Sequence, residues 1–175
     1  MPYQPATLQA LEHACVASVT PSDLPEIAAL HARAFGPGRF ARAAYRVREG
    51  MPLCSAHCLI ARLDGALAAS LRFQPVTIGG VAGALLLGPL AVEPRLAGQG
   101  YGRKLVAVGL ERAAVRGIAL VLLVGDEPYY GRFGFKVVPA RRITMPGPVD
   151  PARLLAAELV PGALEAYRGL VAADA

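Results

Sequence analysis

The 175-residue sequence predicts a single α/β (α+β) domain built on a mixed β-sheet flanked by helices. Apolar, strand-like segments come first along the chain, and a strand–helix–strand succession follows them. A chain of this length can bury one hydrophobic core, and 54% hydrophobic against 18% charged residues excludes a disordered protein. We therefore expect one domain over residues 14–175, preceded by a loose N-terminal extension at residues 1–13.

The first third of the chain predicts one short strand and two helices. Residues 14–19 have the composition of a strand, and Ser22 with Asp23 can cap a helix that runs to Phe35. The Gly36-Pro37-Gly38 stretch breaks that helix. A second short helix is expected over residues 39–49.

A hairpin and a long strand follow. Asp64-Gly65 is typical of a type I′ turn, here between strands predicted at residues 56–63 and 66–76. Gly79-Gly80 forms the next turn, into a strand over residues 82–92.

The second half of the chain alternates helices and strands. The pattern predicts a helix over residues 100–116, a strand over 118–124, a short helix near 128–133 and a strand over 135–139. After a turn at Gly147-Pro148, residues 154–159 form the last predicted strand, which stops before Pro161-Gly162.

The turn between residues 92 and 105 is the most informative part of the sequence. Gly98, Gly100 and Gly102 alternate where the helix begins, and glycines let successive backbone N–H groups crowd around an anion. The helix dipole adds positive potential there, and Arg103 and Lys104 add full charges. These features favour a phosphate ligand, with a tight turn that binds nothing as the alternative.

Two common nucleotide-binding loops do not fit this turn. A dinucleotide loop counted from Gly98 would need glycine where Arg103 stands, and an acidic residue in the stretch 119–124, which has none. An NTPase loop would need a hydroxyl residue after Lys104, and the sequence has Leu105.

The turn resembles the pyrophosphate loop of the GNAT superfamily of acetyl-CoA-dependent N-acetyltransferases. That loop follows the pattern Gln/Arg-x-x-Gly-x-Gly/Ala between the fourth strand and the third helix. Residues 97–102 match it at both glycines, with Ala97 in place of the leading Gln/Arg. A start at Arg95 also satisfies the pattern but shortens the loop by two residues, so we prefer the first register.

A second motif lies downstream at the distance that the family implies. GNAT enzymes end the fourth helix with a tyrosine, three residues and then Gly-Phe, which Tyr130 and Gly134-Phe135 match. The arginine-rich first third and residues 158–164 are similar to the YhbS-like branch of predicted bacterial acetyltransferases. The resemblance covers residues 16–170.

The resemblance implies a mostly antiparallel central sheet that is splayed between its fourth and fifth strands. Backbone amides near the end of the fourth strand would then face the pantetheine and thioester of acetyl-CoA, and Gly88-Pro89 just upstream is consistent with an irregular strand. The implied acetyl-CoA site consists of Leu90, Ala91, Val92, Ala97, Gly98, Gln99, Gly100, Tyr101, Gly102 and Arg103.

The resemblance also implies a catalytic acid. Tyr130 would protonate the leaving thiolate, since an unperturbed tyrosine with a pKa of about 10 is protonated at neutral pH. The alternative is that Tyr130 only packs the helix, as its aromatic neighbours Tyr129 and Phe133 would. Glu93 is a candidate base, with an exposed loop carboxylate as its alternative, and Asp126 and Glu127 are weaker candidates.

Cysteine content and segment composition bear on location and metals. Three cysteines suit a reducing cytoplasm, and neither a signal peptide nor an apolar run long enough to span a membrane is found. We expect no metal, because Cys54, His57 and Cys58 lack a second Cys/His pair and His13 and His31 are isolated.

The net charge of +5 comes largely from arginine. A cluster with two interleaved aromatics, Phe40 and Tyr45, could be a solvated helix face, an attraction for coenzyme A or an acidic substrate, or a nucleic-acid surface. We expect no nucleic-acid partner, because no nucleic-acid motif accompanies it. The cluster comprises Arg33, Arg39, Arg42, Arg46 and Arg48.

The function predicted from the sequence is therefore direct transfer of an acetyl group from acetyl-CoA, as co-substrate, to a primary amine. Two alternatives stay open: a non-catalytic acyl-CoA-binding domain and a nucleic-acid-binding module. A homodimer is also left open. The sequence does not identify the amine, since the first helices and last strands that form the acceptor pocket in this family carry no diagnostic residues here.

Overall fold

The structure is a computed structural model that describes residues 12–37 and 43–175. Its elements are β1 (Cys15–Ser18), α1 (Leu24–Phe35), α2 (Ala43–Arg48), β2 (Leu59–Leu63), β3 (Ala66–Ile78), β4 (Val81–Val92), α3 (Tyr101–Val115), β5 (Leu120–Val124), α4 (Glu127–Tyr130), β6 (Lys136–Val137), β7 (Ile143–Thr144), β8 (Leu154–Glu158) and β9 (Gly169–Ala173).

The strands lie in the order β1-β2-β3-β4-β5-β8-β6. The first half of β3 pairs with β2, and its second half pairs with β9, which in turn pairs with β7. Within the described residues, β4–β5 and β7–β9 are parallel and the other pairs are antiparallel. The predicted mixed, mostly antiparallel sheet is confirmed.

Strands β4 and β5 separate midway along β4. Their pairing runs from Ala84 with Leu120 to Leu86 with Leu122, whereas β4 continues to Val92. The β3–β4 register also shifts here, because Leu71 faces Leu90 while Phe73 faces Leu87. The bulge holds Gly88-Pro89, where a ladder donor is missing. The splay expected between the fourth and fifth strands is therefore present.

The pleat of the sheet sends alternate residues to two separate cores. On one face, Leu85 and Leu87 pack with residues of α3, among them the fully buried Tyr101. On the other face, Ala91 packs under Leu30 of α1, in a smaller cluster. Helices α1 and α3 consequently cover opposite faces near the point where β4 leaves β5.

Several predicted boundaries are confirmed. The hairpin turn has φ of 49° at Asp64 and 81° at Gly65, as a type I′ turn requires. Helix α3 differs from its predicted range by one residue at each end, and β8 by one residue at its C-terminal end. Residues 1–11 and 38–42 lie outside the described part, so the N-terminal extension and the start of the second helix stay predictions.

Other details of the sequence prediction were wrong. Strand β2 begins at Leu59 rather than at residue 56, and α1 follows a 3₁₀ turn in which Asp23 Oδ2 accepts from the Thr20 N–H at 2.8 Å. Ser22 is therefore not the cap; its hydroxyl lies 2.8 Å from that of Thr20. Residues 154–159 are not the last strand either, since β9 follows, and the two-residue β7 was also missed.

Candidate functional site

The glycine-rich turn leads from the free end of β4 into α3. Gly98 and Gly100 have φ of 77° and 96°, in the left-handed region that glycine tolerates, and Gly100 is the N-cap of the helix. The Lys104 N–H donates to the Gly100 carbonyl at 3.0 Å, which closes the first turn. The amides of residues 101–103 precede that bond, so no acceptor within the helix can take them.

Gly102 marks a close approach of three elements. A Cβ built on it would lie 3.0 Å from the Tyr129 hydroxyl oxygen, 3.3 Å from Val92 Cγ2 and 3.4 Å from Leu90 Cδ2. The start of α3, the end of β4 and α4 thus form a cradle that a Cβ would fill. Amides without an acceptor in the helix, a helix N-terminus and tight backbone clearance suit a pyrophosphate followed by a slender chain.

The two charges predicted for this turn are used differently. Arg103 is exposed on the first turn of α3, where it can meet a phosphate. Lys104 instead donates from Nζ to the Ala14 carbonyl at 3.1 Å, which ties α3 to the entry of β1. The expectation that the Lys104 charge adds to the phosphate site is therefore corrected, because its ammonium group lies against the Ala14 carbonyl.

Tyr130 lies where β5 ends. A Cβ on Gly125 would come within 2.7 Å of Tyr130 Cε2, and the ring meets Phe135 edge-on with centroids 5.8 Å apart. The packing contacts of the alternative interpretation are thus present, at the edge where β4 and β5 diverge. Packing and acid catalysis are compatible with this placement.

The sequence predicts that Tyr129 is an aromatic packing neighbour, yet its hydroxyl lies beside Gly102. Burial raises the pKa of Tyr129, while the nearby charges of Arg103 and Arg132 lower it. The Arg132 guanidinium lies 5.3 Å from the centroid of the Tyr129 ring. The spacing to Gly134-Phe135 singles out Tyr130 in the sequence, but no sequence pattern places the Tyr129 hydroxyl beside Gly102, because only the folded α4 directs each ring to its neighbour.

Glu93 follows the last residue of β4 and is not a free loop carboxylate. Its Oε2 accepts from Arg33 Nη2 at 2.9 Å and from Nε at 3.2 Å, and its side chain is 15% exposed. Its own N–H donates to the Ala68 carbonyl at 2.8 Å. The ion pair joins α1 to the end of β4. Asp126, a weaker candidate, pairs with Arg153 at 3.1 Å on the surface.

A cavity of about 240 Å³ opens under α1, on the sheet face opposite α3. It reaches β4 at Pro89, inside the bulge. His31 and Ser70 line it, with Nε2 and Oγ 3.3 Å apart. The full lining comprises Val19, Leu24, Ile27, Ala28, His31, Phe35, Arg48, Leu53, Cys58, Ser70, Leu71, Arg72 and Pro89.

The described arginines of the cluster predicted from the sequence do not form one surface. Arg33 pairs with Glu93, and Arg46 donates to the Pro146 carbonyl at 3.4 Å. Arg48 is buried, 9% exposed, and lines the cavity. The sequence missed this cavity because its residues come from distant segments; the spacing of His31, Arg48 and Ser70 carries no pattern.

No three His, Cys, Asp or Glu side chains in the described part of the chain are grouped so that they could hold a metal ion. None of the described helices is long and apolar enough to cross a membrane. Cys15, Cys54 and Cys58 are free thiols.

Sequence comparisons give a consistent set of relatives. Residues 16–138 match the family model for the acetyltransferase (GNAT) domain. The chain is 32% identical to the N-acetyltransferase YhbS of Escherichia coli over 153 residues, which cover 86% of this chain and 90% of YhbS. It is also 32% identical to the E. coli N-acetyltransferase YjhQ over 118 residues, or 66% of this chain and 65% of YjhQ.

Two solved structures show the same fold with ligand bound. E. coli YhbS, in complex with CoA, superposes with a TM-score of 0.79 at 30% identity, covering 93% of this chain and 90% of YhbS. A GNAT family acetyltransferase from Brucella melitensis, in complex with acetyl-CoA, gives a TM-score of 0.60 at 32% identity, covering 82% and 95% of the two chains.

Proposed function

This chain belongs to the GNAT acetyltransferase family, and from that premise we propose that it transfers an acetyl group from acetyl-CoA directly to a primary amine at the splay of β4 from β5. One observation carries the proposal: the glycine-rich start of α3 and the unpaired edge of β4 meet at Gly102. An anion site and an open row of strand amides are thereby adjacent.

We assign acetyl-CoA binding to the residues predicted from the sequence. The pyrophosphate would lie along residues 97–103, against the amides at the start of the helix, with Arg103 adding a full charge. The Ala97 and Gln99 N–H groups already donate to the Pro94 and Leu96 carbonyls, so those two residues would contribute by loop shape. The pantetheine would run along Leu90, Ala91 and Val92 at the edge that β5 leaves. Bound there, acetyl-CoA supplies an activated acetyl thioester.

Backbone N–H groups of β4 would polarise the thioester carbonyl. In the antiparallel β3–β4 pair, N–H groups alternate between the partner strand and the opposite edge. Some amides of residues 90–92 therefore point to the side where β5 is absent. One amide aimed at a developing oxyanion contributes about 10² to 10³-fold to turnover in enzymes where this was measured.

Tyr130 is our proposed general acid. The amine nitrogen forms a bond to the acetyl carbon, the C–S bond breaks, and the sulfur leaves with the bonding electron pair. The Tyr130 hydroxyl would give its proton to that thiolate and regain one from solvent. Its position at the end of β5, beside the splay, supports this role.

The base must take a proton from the ammonium group of the acceptor, so that the neutral amine can attack. Glu93 is the candidate from the sequence, but its Oε2 is already engaged by Nε and Nη2 of Arg33. His31 is a second candidate, since its Nε2 lies in the cavity that reaches β4. We propose His31 as the acceptor of the proton and Glu93 as a brace for α1.

Calorimetry with acetyl-CoA, combined with assays of CoA thiol release over a panel of amines, tests the proposed function. Gly100→Val should lower acetyl-CoA affinity by intruding on the pyrophosphate. Because Gly100 has φ of 96°, valine also strains the loop, so the unfolding temperature must be measured alongside. Unchanged affinity in a folded Gly100→Val protein would place the cofactor elsewhere.

The same assays separate catalysis from mere binding. A non-catalytic acyl-CoA-binding domain would bind acetyl-CoA and release no thiol with any amine. We also propose a cytoplasmic location, which the three free cysteines support.

A further inference from the structure

The cavity under α1 has a composition that selects its ligand. Resting on the proposed function, we infer that the acceptor is a small α-amino acid with an apolar side chain, held by its carboxylate at Arg48 and Arg72. The cavity is the acceptor side of the site because it opens on the sheet face opposite α3 and reaches β4 at Pro89, one residue before the proposed thioester stretch.

Charge is the first argument. Among the described residues that line the cavity, two are arginines and none is Asp or Glu. A polyamine or aminoglycoside carries several ammonium groups and would be repelled by such a lining. A molecule with one amine and one carboxylate gains a favourable partner for the arginines, and a guanidinium binds a carboxylate through two parallel hydrogen bonds.

Position is the second argument. Arg48 Nη2 lies 3.3 Å from the place where a Cβ on Gly88 would stand, so the guanidinium rests on the β4 bulge. Arg72 is the β3 residue opposite that bulge, and it donates to the Pro52 carbonyl at 2.9 Å. In an α-amino acid, one carbon separates the amine from the carboxylate carbon. A carboxylate held at the bulge therefore keeps the amine close to the thioester stretch that begins at Leu90.

The burial of Arg48 strengthens its interaction with a bound carboxylate. Arg48 is only 9% exposed. A guanidinium withdrawn from water interacts more strongly with an incoming carboxylate than an exposed one does, because solvent screens the pair less.

Size and apolar surface set the rest of the ligand. The cavity of about 240 Å³ is smaller than the range of about 300 to 1,000 Å³ typical of drug-sized ligands. Apart from His31, Ser70 and the arginines, its walls are apolar or thiol side chains from α1, β3, β4 and the loops beside them. A compact aliphatic side chain fits such a wall, with the His31–Ser70 pair near the amine.

The test compares matched acceptors on the full-length protein. We would measure CoA thiol release, with mass identification of the product, for L-leucine, L-leucinamide and spermidine. Leucinamide has the same side chain and amine without the carboxylate, and it resembles a peptide N-terminus. We expect the kcat/KM for leucine to exceed that for leucinamide by about tenfold or more, because charged hydrogen bonds are stronger than neutral ones. We expect spermidine to have the lowest kcat/KM, because the arginines repel its ammonium groups.

Arginine variants locate the selectivity. Arg48→Gln should reduce the preference for leucine over leucinamide to near unity, and Arg72→Gln should reduce it in part. Arg112→Gln, on α3 at the other face of the sheet, should leave it unchanged. Calorimetry with N-acetyl-L-leucine and its amide gives a second readout that needs no turnover. Should Arg48→Gln fail to fold, Arg72→Gln and the wild-type acceptor ratio still decide.

The outcomes distinguish this inference from the proposed function. If acetyl-CoA binds and the kcat/KM for leucinamide or spermidine equals or exceeds that for leucine, the acceptor inference is overturned and the acetyltransferase function stands. Acetyl-CoA binding without any selective binding of leucine or N-acetyl-leucine over the amides also overturns it. Failure of acetyl-CoA to bind would instead overturn the proposed function.

Discussion

The two faces of the sheet carry sites of different construction. On the α3 face, one stretch of consecutive residues, 97–103, leads into a helix whose first amides have no acceptor within the helix, and glycine provides the clearance. On the α1 face, the cavity is formed by side chains from α1, α2 and β3 that are far apart in sequence, among them His31, Arg48 and Ser70. A site made of consecutive backbone groups can be predicted from a local sequence pattern, whereas a pocket made of distant side chains forms only after folding.

This contrast matches the division of work in an acyl transfer. The acyl donor is common to the family, so a backbone cradle that ignores most side chains can serve every member. The acceptor must be discriminated from other amines, and discrimination depends on individual charged and apolar side chains. The splay of β4 from β5 lies between the start of α3 and the cavity, so an acyl group bound as we propose would be reached from both faces.

The largest expected effect is on the chemistry at the splay. Tyr130→Phe removes one oxygen, so the ring contacts with Gly125 and Phe135 persist. General acids typically contribute about 10² to 10⁴-fold, and we expect the single-turnover rate to fall by at least about 10²-fold. Acetyl-CoA affinity by calorimetry should change little.

Tyr129→Phe is the comparison for that variant. Its hydroxyl lies beside Gly102, so we expect a few-fold change in acetyl-CoA affinity, at most, and little change in the single-turnover rate. A full rate in Tyr130→Phe would return Tyr130 to a packing role. A loss of about 10²-fold in Tyr129→Phe alone would move the acid to Tyr129.

The second prediction sets the acceptor face against the end of β4. His31→Ala should lower kcat/KM by about 10²-fold, since the cavity would lose its proton acceptor. Glu93→Gln and Arg33→Gln should behave alike, each costing about 0.5 to 1 kcal/mol in the free energy of unfolding, because each breaks the same partly exposed ion pair.

The matched pair makes this prediction decisive. If Glu93 only stabilises the position of α1 through the ion pair, loss of either partner has the same effect. If Glu93 is the base, only loss of its carboxylate abolishes transfer. If Glu93→Gln abolishes acetyl transfer while Arg33→Gln preserves it, Glu93 is the base and our assignment of His31 is wrong.

The third prediction concerns the charge at the α3 face. Arg103→Gln should weaken acetyl-CoA binding about three- to tenfold at low salt, since the exposed guanidinium is screened by solvent. Arg112→Gln, on the same helix but away from its first turn, is the control and should bind normally. Added salt should shrink the difference between them. Equal affinities at low salt would show that the amides bind the pyrophosphate unaided.

Much of the α3 face follows from sequence alone. Alternating glycines before a helix can be recognised without knowing what packs around them, and the Tyr130 spacing to Gly134-Phe135 is equally local. The bulge was likewise indicated by Gly88-Pro89, because proline cannot donate to a regular ladder. The roles of these residues stay predictions, but their positions agree with the structure.

The rest was inaccessible for physical reasons. Strand β9 has the sequence Gly-Leu-Val-Ala-Ala, in which polar and apolar residues do not alternate, and only its pairing with β3 and β7 defines it. The ion pair of Glu93 with Arg33 joins residues sixty positions apart. Arg48 looked like part of a solvated arginine helix until the fold buried it.

The smallest expected effect is on nucleic-acid binding, which should be negligible. A duplex or single strand needs several cations on one surface, because affinity grows with the number of phosphates neutralised. Here Arg33 is paired with Glu93 and Arg48 is buried in the cavity, which divides the cluster predicted from the sequence. Gel shifts and fluorescence anisotropy with duplex and single-stranded DNA and RNA should show no submicromolar, salt-sensitive binding. Such binding, if lost in Arg46→Gln but kept in Arg112→Gln, would establish a polyanion surface on α2 and contradict the assignment of this face to a small carboxylate.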